Sequence, residues 1–336
     1  MAKCLVVFIT SLGVLISIIG CLPIEPESTE PSKVEHLKLE PKSEPYQPEY
    51  DKIQPIQVEP NEIKPAEAEL VKVEPNDLKL ESAVSFHGKC ADILKNYVDD
   101  KGMVDYKTLR RKRLQLKTLL DEFDELDPNV YNCWSKEDKI AFWLNAYNIQ
   151  MLKIITDNYP IRGSRWLNPF YGPNSIRHIK GIWTKYKFLV MDEEFTLSAI
   201  DKRFFRKEFD DPRIFFAISS ASLSGPPLRN EPYYGYKLDE QLNDQIKKFL
   251  SSLLSFKIDG EEQIVYLSAI FQASQYGKEF TDKYSIDRKF KDHGPTTRAV
   301  LNFITNYVSE SDVSFLEVGN YSVRYMRYDW TINDGS

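Results

Sequence analysis

The feature that most constrains the fold of this chain is a proline- and glutamate-rich segment, Leu22 to Ser82, whose composition cannot build a hydrophobic core. It holds ten of the nineteen prolines, thirteen glutamates and no glycine, and it repeats an apolar-Glu-Pro unit, as in Ile24-Glu25-Pro26 and Val58-Glu59-Pro60. Proline removes amide donors and fixes its own φ, and like charges repel one another. We therefore expect residues 21–82 to form an extended tether with polyproline II character.

This tether is long enough to hold a domain clear of a surface. As a flexible coil its ends would lie about 45 Å apart, and fully extended it would reach roughly 190 Å. We expect it to act as a plain spacer. The alternative is that the repeated unit binds a partner.

The charge of the chain is concentrated in the tether. The whole chain carries −6, the tether −8 and the leader before it +1, so residues 83–336 sum to +1. A near-neutral domain does not have the overall basic charge that neutralises phosphates. We therefore expect no nucleic-acid partner, and we expect residues 83–336 to form one globular domain.

Residues 1–20 have the form of an export signal. The apolar run Leu5 to Ile19 rises about 22 Å as a helix, which is short of the roughly 30 Å hydrocarbon core of a bilayer. Ile18-Ile19-Gly20-Cys21 resembles a bacterial lipobox, in which the cysteine is acylated and becomes the mature N-terminus. We therefore expect Cys21 to anchor an exported protein to a membrane of the bacterial cell envelope. The alternative is a secreted protein cut near Gly20.

The remaining cysteines and histidines give no sign of a cofactor. Cys90 and Cys133 could pair in an oxidising compartment or could both be buried, and we favour burial because two cysteines do not make a disulfide framework. His87, His178 and His293 have no metal-ligand spacing with a cysteine or another histidine. We predict neither a metal nor a cofactor.

Apolar residues recur at helical spacing in several stretches after Ala83. Ser135 opens a sequence like a capping box, and the helix that follows should end at Pro160. We predict further helices over residues 109–126, 238–254 and 300–308.

Strand signals are fewer and shorter. We predict strands at Phe188–Met191, Ile214–Ile218 and Ile264–Leu267, and a C-terminal hairpin of Val313–Val318 with Tyr321–Tyr328. Helices and strands do not alternate regularly, so a doubly wound sheet is not expected. The fold class is therefore α+β: a helix-rich single domain with a small mixed or antiparallel sheet and a C-terminal hairpin.

Four stretches of the domain, in a characteristic order and spacing, carry a resemblance to a known family. They are AFWLNAYN from Ala141, DPRIFFAI from Asp211, PPLRNEPY from Pro226 and YDWTIN from Tyr328. Together they resemble the domain of unknown function 547 family, which is found in bacterial lipoproteins and in plant and animal proteins. The resemblance covers nearly all of the chain from about Ser85, and the family's name implies little about activity.

The resemblance implies thiol chemistry from which this chain departs. A typical member has one cysteine after the strand equivalent to Ile214–Ile218, a second before the Pro-Pro pair, and a Glu-His pair opening a helix. Here those positions hold Ser220, Gly225 and Asp201-Lys202. Glycine offers no nucleophile, and a lysine with an ordinary pKa of about 10.4 is protonated at neutral pH and cannot act as a base. These departures argue against thiol catalysis.

Several polar residues nevertheless qualify as site residues. Asn145 and Asn148 share one face of the long helix, where they could line a cleft or could be buried amides that satisfy backbone groups. Ser220 could be a nucleophile or a turn residue, and Asp329 a catalytic acid or part of a packing contact. The candidate catalytic residues are Asn145, Asp201 and Ser220. The candidate cleft residues are Trp143, Tyr147, Asn148, Lys202, Gly225, Arg229, Asp329 and Trp330.

The sequence leaves three functions open. The first is a lipid-anchored, catalytically degenerate binding or scaffold domain, and the missing cysteine and histidine favour it. The second is an active hydrolase or transferase that works through Ser220 with Asn145 and Asp201 nearby. The third is a structural protein of the cell envelope. An aromatic cleft would favour binding over a structural role.

Overall fold

The computed structural model describes residues 75–163, 171–272, 276–285 and 288–336, with side chains from Ser82 onward. All of them belong to one compact unit, Glu69–Ser336. The leader, Cys21 and most of the predicted tether lie outside the described residues. Among the helices of the described part, none has the length and apolarity that crossing a bilayer requires.

Eleven α-helices and five short strands are described in these ranges. The helices are α1 Pro75–Gly88, α2 Ala91–Tyr97, α3 Tyr106–Arg111, α4 Leu114–Asp124, α5 Pro128–Asn132, α6 Lys136–Asn158, α7 Leu197–Ile200, α8 Leu238–Leu250, α9 Gly277–Tyr284, α10 Pro295–Ile304 and α11 Glu310–Val318. The strands are β1 Phe188–Val190, β2 Glu193–Phe195, β3 Phe256–Asp259, β4 Ile264–Leu267 and β5 Ser322–Tyr325.

The long helix α6 runs through the core, as its sequence predicts. The Ser135 hydroxyl accepts a hydrogen bond from the amide of Asp138 and caps the first turn, and the helix ends at Asn158, two residues before Pro160. Most of its side chains are buried, including polar Asn145 and Asn148. Buried side-chain amides need hydrogen-bond partners, so other segments of the chain must supply polar groups to α6 at these two residues.

The strands form two small sheets, which confirms the α+β class. Strands β1 and β2 pair antiparallel as a hairpin. In the second sheet β4 is central: it pairs antiparallel with β3 and parallel with β5. The sheet is therefore mixed.

The predicted C-terminal hairpin is wrong. Residues 310–318 form helix α11, which begins at the N-cap Ser309 and ends at Gly319 with φ +77°. A glycine in the left-handed region ends a helix as readily as it opens a hairpin turn, and the serine cap favours the helix. The strand that follows, β5, pairs with β4 instead of with residues 313–318.

Two other predictions need correction. Residues 214–216 of the predicted strand Ile214–Ile218 lie instead in a 3-10 helix, Pro212–Phe216, which starts where the Asp211 side chain accepts from the amide of Arg213, and residues 217 and 218 follow it in a turn. Proline at the first helical position fits this start. The predicted helix over residues 109–126 is two helices, α3 and α4, that meet at a corner at Lys112 and Arg113.

The boundary of the tether also differs from the sequence prediction. Helix α1 begins at Pro75, within the segment expected to be extended up to Ser82. Proline suits the first turn of a helix, because its missing amide would have had no partner there. Cys90 and Cys133 are both free; Cys90 is buried and Cys133 is exposed, so burial is correct for only one of them.

Candidate functional site

One cavity of about 610 Å³ opens among α6, the segment after α7, the turn at Ser220 and the C-terminal segment. We call it the cleft. The residues that line it and carry its polar and aromatic character are Tyr147, Arg177, Trp183, Asp201, Arg206, Ser220, Tyr276, Arg327, Tyr328 and Trp330.

Three hydroxyl groups meet at one wall of the cleft. The Ser220 Oγ lies 2.7 Å from the Ser222 Oγ and 2.8 Å from the Tyr328 hydroxyl, which is itself 3.0 Å from the Ser222 Oγ. Burial raises the pKa of Tyr328, so its hydroxyl keeps its proton at neutral pH. Ser220 thus has neutral hydroxyls for partners, and neither of them can act as a base for it near pH 7.

A strained turn presents Ser220 to the cleft. Ala221, the next residue, has φ +56°, a left-handed conformation that costs a non-glycine residue energy. On the other side, Asn148 holds the backbone: its Nδ2 donates to the Ala217 carbonyl and its Oδ1 accepts from the Ser219 amide, both at 2.9 Å. The position of Ser220 is therefore set by contacts on both sides of it.

Gly225 supports this wall by being small. A Cβ atom at this position would lie 2.1 Å from the Ser220 Oγ and 3.0 Å from the Tyr328 hydroxyl. Gly225 does not have the positive φ that would itself require glycine. Space beside Ser220, and not backbone conformation, is therefore what position 225 demands.

Asp201 and Arg206 form the charged part of the cleft. They lie in a π-helical segment, Asp201–Phe209, that continues α7. The Arg206 Nε donates to the Asp201 Oδ2 at 3.0 Å, and its Nη1 donates to Glu279. Burial raises the pKa of the Asp201 carboxyl, although Arg206 opposes the shift. The buried Asp201 Oδ1 has no hydrogen-bond partner among the described residues.

Aromatic rings and two further arginines complete the cleft. Trp183 and Trp330 meet edge to face at 5.9 Å, and Tyr328 packs against Trp330 at 4.1 Å. The exposed Arg177 guanidinium lies 5.0 Å from the Trp330 ring, a cation–π distance. Arg177 and the exposed Arg327 form no ion pair with any carboxylate in the described ranges, so their charges are available to a ligand.

The cleft contains four of the candidate residues named from the sequence. Tyr147, Asp201, Ser220 and Trp330 line it. Asn148 and Gly225 support its wall from behind.

The other candidates have different roles. Asn145 holds backbone elsewhere: its Oδ1 accepts from the Tyr233 amide and its Nδ2 donates to the Tyr233 carbonyl, both at 2.9 Å. Trp143 is buried and stacks on Phe204 with ring centroids 3.7 Å apart. Lys202 is exposed and does not line the cleft.

Arg229 and Asp329 also contact other parts of the protein and do not line the cleft. Arg229 forms ion pairs with Glu231 and Asp244. The Asp329 carboxylate accepts from the Thr331 amide at 2.9 Å, which agrees with a packing role. The cleft does not bring together Asn145, Lys202 and Gly225. A base at position 202 would not line the cleft either, because Lys202 is exposed elsewhere.

Sequence reasoning missed most of the charged lining, namely Arg177, Arg206 and Arg327. Asp201 and Arg206 are five residues apart, a spacing that brings side chains together in a π-helix but not in an α-helix. It also missed a buried pair, His87 and Asp138, whose Nε2 and Oδ1 atoms lie 3.7 Å apart. Within the described ranges, no group of three or more His, Cys, Asp or Glu side chains is placed to hold a metal ion.

The chain matches one family model. Residues 131–250 match the family described as "Protein of unknown function, DUF547", which supports that domain family for this part of the chain. The matched segment includes α6, Asp201, Ser220 and Gly225, whereas Tyr328 and Trp330 lie beyond it. No curated protein and no solved structure matches the chain.

Proposed function

We propose that this protein is a lipid-anchored binding domain that has lost the thiol chemistry its family pattern implies, and that the cleft is its ligand site. The observation that carries the proposal is Asp201, which lines a cavity of about 610 Å³ and whose buried Oδ1 has no hydrogen-bond partner among the described residues. A buried polar atom without a partner costs free energy, and a ligand that donates a hydrogen bond to it would recover that cost.

The surroundings of Ser220 favour binding over hydrolysis. A serine nucleophile needs a base within hydrogen-bond reach, commonly an imidazole. No histidine of the described residues lines the cleft, and the hydrogen-bond partners of Ser220 are the hydroxyls of Ser222 and Tyr328. The hydroxyl cluster is suited to exchanging hydrogen bonds with a polar ligand, since a hydroxyl can both donate and accept.

The lining also indicates the character of the ligand. Trp183 and Trp330 offer partly exposed rings against which a flat or apolar body can pack. Arg177 and Arg327 offer positive charge for an anionic group. The ligand class that fits is a small molecule or peptide end with an anionic group, an apolar body and a hydrogen-bond donor for Asp201.

A matched pair of small probes tests this proposal. N-acetyl-L-tyrosine carries all three features, and N-acetyl-L-tyrosine amide lacks only the negative charge. We expect N-acetyl-L-tyrosine to change the tryptophan fluorescence saturably and the amide to bind several-fold more weakly. Arg177→Gln with Arg327→Gln should remove the difference between the two probes, and Asp201→Leu should weaken both.

A variant outside the cleft provides the control for this test. Lys202→Gln removes an exposed charge that does not line the cleft, so it should leave both affinities unchanged. If neither probe saturates, or if both bind equally to the native chain and to the arginine variant, the cleft is not an anion-selective ligand site. A structural role in the cell envelope would then be favoured over a binding role.

Membrane attachment through Cys21 belongs to the same proposal. The lipobox-like Ile18-Ile19-Gly20-Cys21 and the tether after it support export and acylation. Two or three acyl chains on one residue give lasting attachment to a bilayer. The cleft would then sample ligands within the reach of the tether.

A further inference from the structure

The corner between α3 and α4 carries an unusual concentration of positive charge. Arg110, Arg111, Lys112 and Arg113 are consecutive and all exposed. From residue 106 to residue 120 the chain has six lysines and arginines and not one aspartate or glutamate. The domain as a whole is near neutral, so this corner is a local concentration of basic residues; the groove beside Leu114 is also lined by Asp92, Glu122 and Lys89. We call residues 110–114 the basic corner.

Contacts within the domain do not explain these charges. None of the four cations forms an ion pair or a side-chain hydrogen bond within the part of the chain that the structure describes. Arg113 also stands at the N-cap of α4 and provides no capping hydrogen bond. A cation at a helix N-terminus opposes the helix dipole, so Arg113 is unfavourable for the stability of α4.

An apolar side chain completes the corner. Leu114, the first residue of α4, is 72% exposed although its neighbours Leu116 and Leu119 are buried. An exposed leucine next to four cations matches the composition of surfaces that lie at a bilayer interface, where cations meet anionic headgroups and an apolar side chain enters the acyl boundary.

We propose that the basic corner docks the domain on an anionic lipid bilayer. Charge complementarity selects the anionic headgroups, and the exposed leucine distinguishes a bilayer from a nucleic acid, because a phosphate backbone offers Leu114 no apolar environment. This contact is separate from the cleft and from acylation of Cys21. It would bring the domain itself to the membrane surface.

Vesicle binding without any lipid on the protein tests this contact. The chain from residue 21, with Cys21→Ser, leaves the compact unit Glu69–Ser336 intact and cannot be acylated. We expect it to sediment with phosphatidylcholine vesicles that contain about one third phosphatidylglycerol, and not with phosphatidylcholine alone. Salt at about 1 M should release it, because the Debye length falls to roughly 3 Å.

Two variants and a matched control locate the contact. Replacing residues 110–113 by glutamine should weaken binding to the anionic vesicles on the order of a hundredfold or more, at about fivefold per cation. Leu114→Gln should weaken it up to about tenfold. Glutamine at the exposed Lys180, Lys207, Lys247 and Lys278 changes the net charge equally and should have little effect.

Three results would overturn the proposal. One is an absence of sedimentation with anionic vesicles in low salt. Another is an equal loss of binding in the control variant, since net charge alone would then account for the effect. The third is tighter binding to duplex DNA or RNA than to the vesicles, which would make the basic corner a nucleic-acid surface. Because Cys21 is replaced throughout, none of these results bears on acylation.

Discussion

Position 225 offers a direct measure of how tightly the cleft wall is packed. Gly225→Ala adds a single Cβ, which would lie 2.1 Å from the Ser220 Oγ, more than about 1 Å closer than van der Waals contact allows. Ser220 must move, and its contacts with Ser222 and Tyr328 must change with it. Overpacking of this kind costs about 1–3 kcal/mol. The expected result is a loss of unfolding free energy in that range.

The same substitution should cost less when the obstructing atom is absent. In a Ser220→Ala background the nearest remaining atoms are the Tyr328 hydroxyl at 3.0 Å and the Ser222 Oγ at 3.2 Å, which small shifts can relieve. The cost should then fall below about 1 kcal/mol, so the double-mutant cycle gives a coupling of about 1–2 kcal/mol. Urea unfolding of the four proteins, followed by tryptophan fluorescence, measures it.

A second glycine provides the control for this cycle. At Gly260 an added Cβ meets no atom of the described residues within 4 Å, so Gly260→Ala should be close to neutral in both backgrounds. If Gly225→Ala costs the same in the native background as in the Ser220→Ala background, or costs nothing, then the close approach of residues 220 and 225 does not determine the choice of glycine. The serine beside position 225 would then not explain why that position holds glycine.

Three further predictions concern other parts of the molecule. Asn148→Ala should lower the unfolding free energy by about 2–4 kcal/mol in thermal or urea unfolding, because the Ala217 carbonyl and the Ser219 amide lose their buried partner; an effect below about 1 kcal/mol would contradict the clamp. Burial raises the pKa of Glu231, but hydrogen bonds led by that from Lys237 outweigh it and hold the pKa to about 2, below its ordinary 4.5. The stability that Glu231 contributes is therefore complete above pH 4.5 and is lost as the pH falls toward 2. Glu231→Gln should lower the unfolding free energy by about 1–2 kcal/mol at pH 7, after allowance for solvent screening, and by almost nothing at pH 2. A pH-independent difference would refute this. Mass spectrometry of the mature N-terminus from a bacterial host should find Cys21 acylated, and an unmodified Cys21 or Leu22 would rule acylation out.

The sequence predicts the parts of the fold that depend on long periodic patterns. The 23-residue helix α6, with its serine cap and terminal proline, could be placed closely because many residues repeat the same signal. Short apolar runs are ambiguous, since Ile214–Ile218 satisfies a buried strand and a buried 3-10 turn equally. The segment after α10 was mispredicted because Gly319 suits both a helix end and a hairpin turn.

The cleft was only partly predictable, and the reason is distance along the chain. Ser220 and Tyr328 are in contact although 108 residues separate them, and a single sequence contains no signal that joins them. The family resemblance points to positions 201, 202, 220 and 225, of which residues 201 and 220 line the cleft and residue 225 supports its wall. It could not show that Lys202 is exposed, because that depends on how the π-helical segment turns its side chains.

The two asparagines of α6 have a consequence for how the cleft could change over time. They lie almost one helical turn apart, and they fasten two points of the chain, at residues 217–219 and at residue 233, to the same helix. Both contacts recognise only peptide groups, so they impose no requirement on the side chains between them. The loop from residue 219 to residue 233 is therefore anchored at both ends through backbone groups alone, so a substitution within it can alter the cleft without releasing either end.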